Sequence, residues 1–444
     1  SRNSSTKSNS TTETNTSDAS GPAARIYGIH MSELYDIFRR HPRISTDTRR
    51  IEPGSVFFAL HGATFDGNRF AADALSKGAA YVVVDDPAAV SGDRTVLVGD
   101  TLEALQELAR EYRRELAIPI LAISGSNGKT TTKELVSRVL AERFEVYATR
   151  GNLNNHIGVP LTLLAMTRDT QFGVVEMGAS ACGEIALLAS IAEPNYGILT
   201  NIGRAHLEGF GGPEGVRRGK GELFDYLAAN GGRAFVPRED EMLTNMAAER
   251  DGLAAEYYSI TLAEDLENHL EGHYNRFNIA AAVAVGRYFD VADERIRHAV
   301  GSYVPDNNRS QRTETGRNTL IVDCYNANPS SMRASVANFL AEPPGMRTRR
   351  LLILGDMLEL GAWSAEEHAA VIRLAAQAPQ TEVMLVGQEF AKARADMEPQ
   401  PARITLFADR EHLIAALRTH PVDNALVLIK GSRGIGLEKA VGEL

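Results

Sequence analysis

The sequence predicts an α/β protein made of three successive units, the middle one built around a glycine-rich turn between a strand and a helix. Three observations predict it. Apolar runs of strand length alternate with stretches of helical periodicity from about residue 44 onward. The turn Ser124-Gly125-Ser126-Asn127-Gly128-Lys129-Thr130 joins one such strand to one such helix. The chain of 444 residues is also too long for one core, and the pattern restarts after Pro119 and Pro305.

Residues 1–24 are almost entirely Ser, Thr, Asn and small residues, which predicts a disordered extension, with Met31 a candidate start. Residues 25–117 predict a small unit with strands over 56–60, 81–84 and 96–98 and helices over 69–77 and 101–115. The middle unit, 118–303, has strands expected at 118–123, 172–177, 196–201 and 233–237. The last, 304–444, has them at 319–324, 351–356, 382–387, 403–407 and 425–430. Ligands of open parallel sheets sit outside the carboxyl ends of the strands. In the middle unit the polar residues at those ends are Lys129, Thr130, Glu176 and residues 201–206. In the last they are Asp323, Tyr325, Asn326, Asn328, Asp356, Lys430, Ser432 and Arg433. Two such rims facing each other would enclose a cleft.

The turn is suited to phosphate. Gly125 and Gly128 admit backbone N–H groups close to an anion, the helix start adds its dipole, Lys129 brings a point charge, and the Thr130 hydroxyl can ligate Mg²⁺. The spacing is the short form GxxGKT, since Ile123 stands where GxxxxGK[ST] needs glycine. A dinucleotide site would want an acidic residue about 20 positions on. Glu142 and Glu145 lie near there, but Lys129 occupies a position that calls for a small residue.

Glu176 and His206 read as Mg²⁺ ligands beside the phosphates, directly or through water. The alternatives are a carboxylate capping a turn and a satisfied loop histidine. Lys220 shares a helical face with Val216, Leu223, Phe224 and Leu227, so it points where the apolar residues point. Desolvation and a nearby cation would both depress its pKa, and a neutral amine can add CO₂ to become a metal-binding carbamate. The alternative is an ammonium that reaches solvent over an apolar patch. Asn154 and Asn155 read equally as cleft contacts or as turn and cap residues.

A net charge of -10 excludes a nucleic-acid surface as the main business. The two cysteines, Cys182 and Cys324, lie in no metal-spacing pattern and fit a reducing cytoplasm better than a disulfide framework. No apolar run is long enough to embed the chain in a membrane.

The motifs SGSNGKTTTKE, GNLNNHIGVPLTLLAM, EMGAS, TNIGRAHLEGFG, GKGELF, DCYNANPSSM, GDMLELG and KGSRGIGLE, in this order over residues 44–440, resemble the Mur ligase family. STDTR, YNANP and GDMLELG discriminate within it, and the DNPR-type motif of a sister ligase is missing. The resemblance implies a central P-loop parallel-sheet ATPase domain, flanked by a small N-terminal α/β domain that binds the UDP-substrate and a C-terminal Rossmann-like α/β domain. It implies an ATP-dependent ligase of peptidoglycan precursor synthesis, monomeric and cytoplasmic, using Mg²⁺ and joining UDP-N-acetylmuramoyl-tripeptide to D-alanyl-D-alanine. By that resemblance Gly125, Ser126, Asn127, Gly128, Lys129, Thr130 and Thr131 hold the ATP phosphates. Asn278 contacts adenine, and Arg309 and Asp323 bind nucleotide from the last domain. Thr130, Glu176, His206 and a carbamylated Lys220 serve the metal. Ser45, Thr46, Asp47 and Arg49 belong to the UDP-binding domain, and Asn154 and Asn155 stand in a shared motif. Tyr325, Asn326, Asn328, Lys430, Ser432 and Arg433 face the incoming dipeptide and the reacting phosphate. Tyr274 stands where many members have His.

The competing functions are a related Mur or folylpolyglutamate-type ligase with another amino acceptor, and an acceptor-independent P-loop NTPase. The second should carry a Walker B strand and an arginine finger.

Overall fold

The computed structural model describes residues 31–305, 309–343, 345–397 and 403–444, so the N-terminal extension lies outside the described residues. The described residues divide into two compact units, one ending at 104 and one starting at 105. In the first, four parallel strands run in the order Ile44–Ser45, Val56–Phe58, Tyr81–Val84, Thr95–Leu97. Phe57, Ala59, Val82 and Val84 form its apolar centre with Ala71 and Ala74 of the helix Ala71–Ser76.

The second unit holds two six-stranded sheets, each with its own core, hence two lobes. The middle sheet is wholly parallel, in the order Ala254–Tyr258, Arg233–Pro237, Tyr196–Leu199, Ile120–Ser124, Phe172–Glu176, Val146–Ala148. Its inner strands are buried on both faces, which is why they read as continuous apolar runs. Ile120–Ser124 was laid down first and acquires a neighbour on each side, so the strand order reverses beside it. The crevice at its carboxyl end is therefore the place for a ligand. In the last lobe the order is Gln311–Glu314, Thr319–Asp323, Ala425–Lys430, Arg349–Gly355, Thr381–Val386, Ile404–Phe407, the first strand antiparallel.

Every strand expected from the sequence is present within a few residues. The two-residue strands Ile44–Ser45, His61–Gly62 and Phe65–Asp66 of the first unit were not foreseen, and neither were three edge strands of the six-stranded sheets: Val146–Ala148, Ala254–Tyr258 and Gln311–Glu314. Each of these three is only partly buried and carries polar residues, so it lacks the run of apolar residues that marks an inner strand.

Candidate active site

Sheet register brings the first group together. Ile123 pairs with Glu176 and Ser124 with Leu199, so the turn after Ser124, the Glu176 carboxylate and the loop after Leu199 share one rim. The turn is laced to that loop. Ser126 N–H donates to Asn201 O (3.0 Å), Asn127 N–H to Asn201 Oδ1 (3.1 Å), and Thr200 Oγ1 to Asn127 O (2.5 Å). Gly125 (φ 131°) and Gly128 (φ 80°) are needed for contact as well as conformation: a Cβ would stand 2.1 Å from Thr200 Oγ1 and 2.6 Å from Asn278 Oδ1 respectively. Gly128 precedes the helix Lys129–Ala141 and offers no side chain to cap it, so the first-turn N–H groups remain for a ligand.

Lys129 folds over the turn, its ammonium donating to Gly125 O (2.8 Å) and Ser126 O (3.2 Å). Burial pulls its pKa down to about 8, with Glu176 opposing and Arg309 assisting. Glu176 is 2% exposed. Its Oε1 accepts from Asn154 Nδ2 (2.8 Å), while Oε2 is buried with no hydrogen-bond partner. A carboxylate oxygen left so is costly unless something cationic occupies the space before it. His206, at φ 53°, turns its Nδ1 to the Glu359 carboxylate of the last lobe. Burial depresses its pKa, the charges of Lys220 and Lys129 act the same way, and Glu359 opposes them.

The two rims enclose a cavity of about 910 Å³. Its walls include Ser126, Asn127, Gly128, Lys129, Thr130, Thr131, Asn154, Asn155, Glu176, His206 and Asn278 from the middle lobe. From the last lobe come Arg309, Asp323, Tyr325, Asn326, Asn328, Lys430, Ser432 and Arg433. Gly125 is not among the lining residues. Lys129, Glu176 and His206 thus meet in one place, as the sequence required.

Several residues are more engaged than expected. Asp323 and Lys430 are register partners and form a buried pair at 2.5 Å, with Ser335 Oγ also donating to Asp323. Lys430 thus lines the cavity already paired to a carboxylate of its own lobe. Ser432 Oγ donates to Ala327 O and accepts from Leu358 N–H, so it fixes loops. Asn155 is a cap: its Oδ1 accepts from the N–H groups of Ile157 and Gly158 at the start of the helix Gly158–Leu164. Asn278 accepts from Thr132 Oγ1 and donates to Asn275 Oδ1, bracing the helix start. Asn328 caps the helix Pro329–Ala341 and donates to Asn127 Oδ1 (2.6 Å), one lobe touching the phosphate turn of the other. The guanidinium of Arg309 lies 3.7 Å from the centre of the Tyr325 ring and that of Arg433 lies 5.5 Å from it.

Lys220 is 1% exposed on the helix Pro213–Ala229, which rules out an ammonium in solvent. Nζ donates to Ala179 O (3.0 Å) behind the cavity wall rather than in it. Burial drives its pKa well below the usual lysine value, and the charge of Lys129 adds to this. Ser45, Thr46, Asp47 and Arg49 belong to the first unit. There Asp47 caps a short turn and pairs with Arg49 at 2.8 Å, which holds its carboxyl down at about 2.

Sequence reasoning placed Arg204 among the strand-end polar residues but did not single out the acidic residues that clasp it and its neighbours from the last lobe. Glu367 Oε1 lies 2.5 Å from Arg204 Nε of the middle lobe and Oε2 lies 2.7 Å from Arg333 Nη1. Arg204 N–H donates to Ser330 Oγ (2.7 Å), and Glu208 N–H to Glu359 O (3.3 Å). The only signal was that GDMLELG is polar just past a strand.

A nucleotide-phosphate turn, a buried acidic group and a second lobe closing over both define an ATP-dependent ligase of modular build. Three family models match: Mur ligase family, catalytic domain (42–113), Mur ligase middle domain (123–268) and Mur ligase, glutamate ligase domain (308–433). The chain belongs to the Mur ligase family. It is 32% identical over 425 residues to UDP-N-acetylmuramoyl-tripeptide--D-alanyl-D-alanine ligase of Bacillus subtilis (strain 168), covering 90% of this chain and 92% of that one. A crystal structure of MurF from Acinetobacter baumannii superposes with TM-score 0.80 at 30% identity, over 90% of this chain and 93% of that one. MurF ligase from Thermotoga maritima in complex with ADP does so with TM-score 0.78 at 26% identity, over 92% and 97%.

Proposed function

We propose that this chain joins UDP-N-acetylmuramoyl-tripeptide to D-alanyl-D-alanine with cleavage of ATP, a ligation of peptidoglycan precursor synthesis. The observation that carries the reading is the shared cavity: the phosphate turn and Glu176 on one wall, the last lobe's Arg309, Tyr325 and Arg433 on the other. The tripeptide's terminal carboxylate attacks the γ-phosphorus of ATP, the bond to the bridging oxygen breaks, and ADP departs to leave an acyl phosphate. The dipeptide's amine then attacks the acyl carbon, phosphate leaves and the amine gives up a proton. Anionic reactants must approach one another, so the chain's contribution is electrostatic: Lys129 and the open N–H groups of the turn face the phosphates. The interlobe contacts exclude water that would otherwise hydrolyse the acyl phosphate.

The donor set fits Mg²⁺. Glu176 Oε2 is a buried carboxylate oxygen without a partner, the Thr130 hydroxyl lines the same cavity, and His206 adds a ring nitrogen. When bound there, Mg²⁺ would neutralise charge on the transferring phosphoryl group. Carbamylation of Lys220 would bring a further carboxylate-like group towards it. We assign Ser45, Thr46, Asp47 and Arg49 to the UDP end, and 25–117, 118–303 and 304–444 to three domains. The cavity is lined by residues of one chain, so the reading asks only for a monomer, and its nucleotide substrates belong to the cytoplasm. No helix among the described residues is long and apolar enough to cross a membrane.

The test is an acceptor screen with purified protein, ATP, Mg²⁺ and UDP-N-acetylmuramoyl-tripeptide. Phosphate release and amide product should both require D-alanyl-D-alanine. Release driven equally by glutamate, by a diamino acid or by no acceptor would overturn the assignment.

A further inference from the structure

His206 of the middle lobe is held by a residue of the other lobe. His206 Nδ1 is bonded to the carboxylate of Glu359, and the neighbouring backbone repeats the link, Glu208 N–H donating to Glu359 O at 3.3 Å. Both residues adopt the left-handed conformation, His206 at φ 53° and Glu359 at φ 61°. Such backbone is costly for residues with a Cβ and persists where surrounding contacts impose it. Two bent residues from separate lobes thus meet side chain to side chain on the cavity wall. Gly361, at φ 51°, keeps the approach open, since a Cβ there would lie 3.2 Å from Glu208 Cβ.

We propose that Glu359 is a positioning residue for the metal site: by accepting the Nδ1 proton of His206 it fixes the tautomer and ring orientation that present Nε2 as the ligand. An imidazole whose other nitrogen donates to a carboxylate is held in one orientation and is a better base towards a metal. Because the carboxylate comes from the last lobe, the site is complete only when the lobes are together. Metal binding and closure then favour each other by the same factor, as linkage requires. Glu176 and Thr130 belong to the middle lobe alone, so only the His206 arm of the site senses closure.

This inference rests on the assignment of His206 to the metal. The full chain, with a non-hydrolysable ATP analogue, is titrated with Mn²⁺ and free Mn²⁺ is followed by electron paramagnetic resonance. Glu359→Ala should weaken Mn²⁺ binding about tenfold. Glu359→Gln, which keeps the shape and a neutral acceptor, should lose less. Analogue binding in EDTA should be unchanged in both, which a collapse of the site would not allow. His206→Ala is the reference. If it weakens Mn²⁺ binding while both Glu359 variants bind as the parent does, the positioning role is overturned and the metal assignment survives. If His206→Ala binds Mn²⁺ as the parent does, both fall.

Discussion

Glu367→Gln tests how the lobes are held together. Glu367 is 2% exposed and its two oxygens face different lobes, Oε1 to Arg204 (2.5 Å) and Oε2 to Arg333 (2.7 Å). The Arg204 approach is a charge contact rather than an aligned hydrogen bond, since Nε has no partner of good geometry. Both arginine side chains are 36% exposed, so solvent screens the pair, and about 1 kcal/mol, the upper end for ion pairs open to water, is the fair figure for the interlobe arm. Glutamine keeps the volume and strands no charge, because both guanidinium groups can turn to water. The closed-to-open ratio should then fall roughly fivefold. Small-angle scattering should show an expanded particle. Turnover should release more phosphate than amide product, as acyl phosphate meets water. A variant with the parent's scattering profile and one phosphate per product would refute the clasp.

Two further outcomes follow from buried bases. Lys220→Ala should abolish ligation, and bicarbonate or short carboxylates should restore part of it; full activity without them would remove the carbamate. His368 is fully buried, Nε2 accepting from Met357 N–H (3.0 Å) and Nδ1 donating to Ser364 O (2.8 Å), and burial lowers its pKa. The unfolded chain therefore binds the proton first, and stability present above about pH 6.5 should fall as pH drops towards the lower folded value. His368→Gln should flatten the urea midpoint between about pH 7.5 and 5.5, and an unchanged slope would refute the assignment.

What the sequence disclosed follows from which residues carry a pattern. The inner strands 172–176, 319–323 and 425–430 announce themselves because both faces are buried and every residue before the terminal Glu176, Asp323 or Lys430 is apolar or small. Their carboxyl ends then locate Glu176, Asp323 and Lys430 without further information. Asp323 and Lys430 were both legible, yet their mutual pairing was not: it depends on strands 319–323 and 425–430 being neighbours, and about a hundred residues separate them in the chain. Asn155 and Asn328 illustrate a different blindness. An asparagine before a helix has the same local signature whether it caps or binds, and only the partner atom tells them apart: Gly158 N–H for the first, and Asn127 Oδ1 in addition to its own cap for the second. The interlobe roles of Glu359 and Glu367 were invisible for the same physical reason. A carboxylate whose partner lies on another lobe leaves no trace in the periodicity of its own segment, and Glu367 occupies a helix, Ser364–Ala375, where any acidic residue near the N-terminus is already accounted for by the dipole. Catalytic groups that work through strand ends can therefore be read from one chain segment, whereas groups that join lobes require the fold.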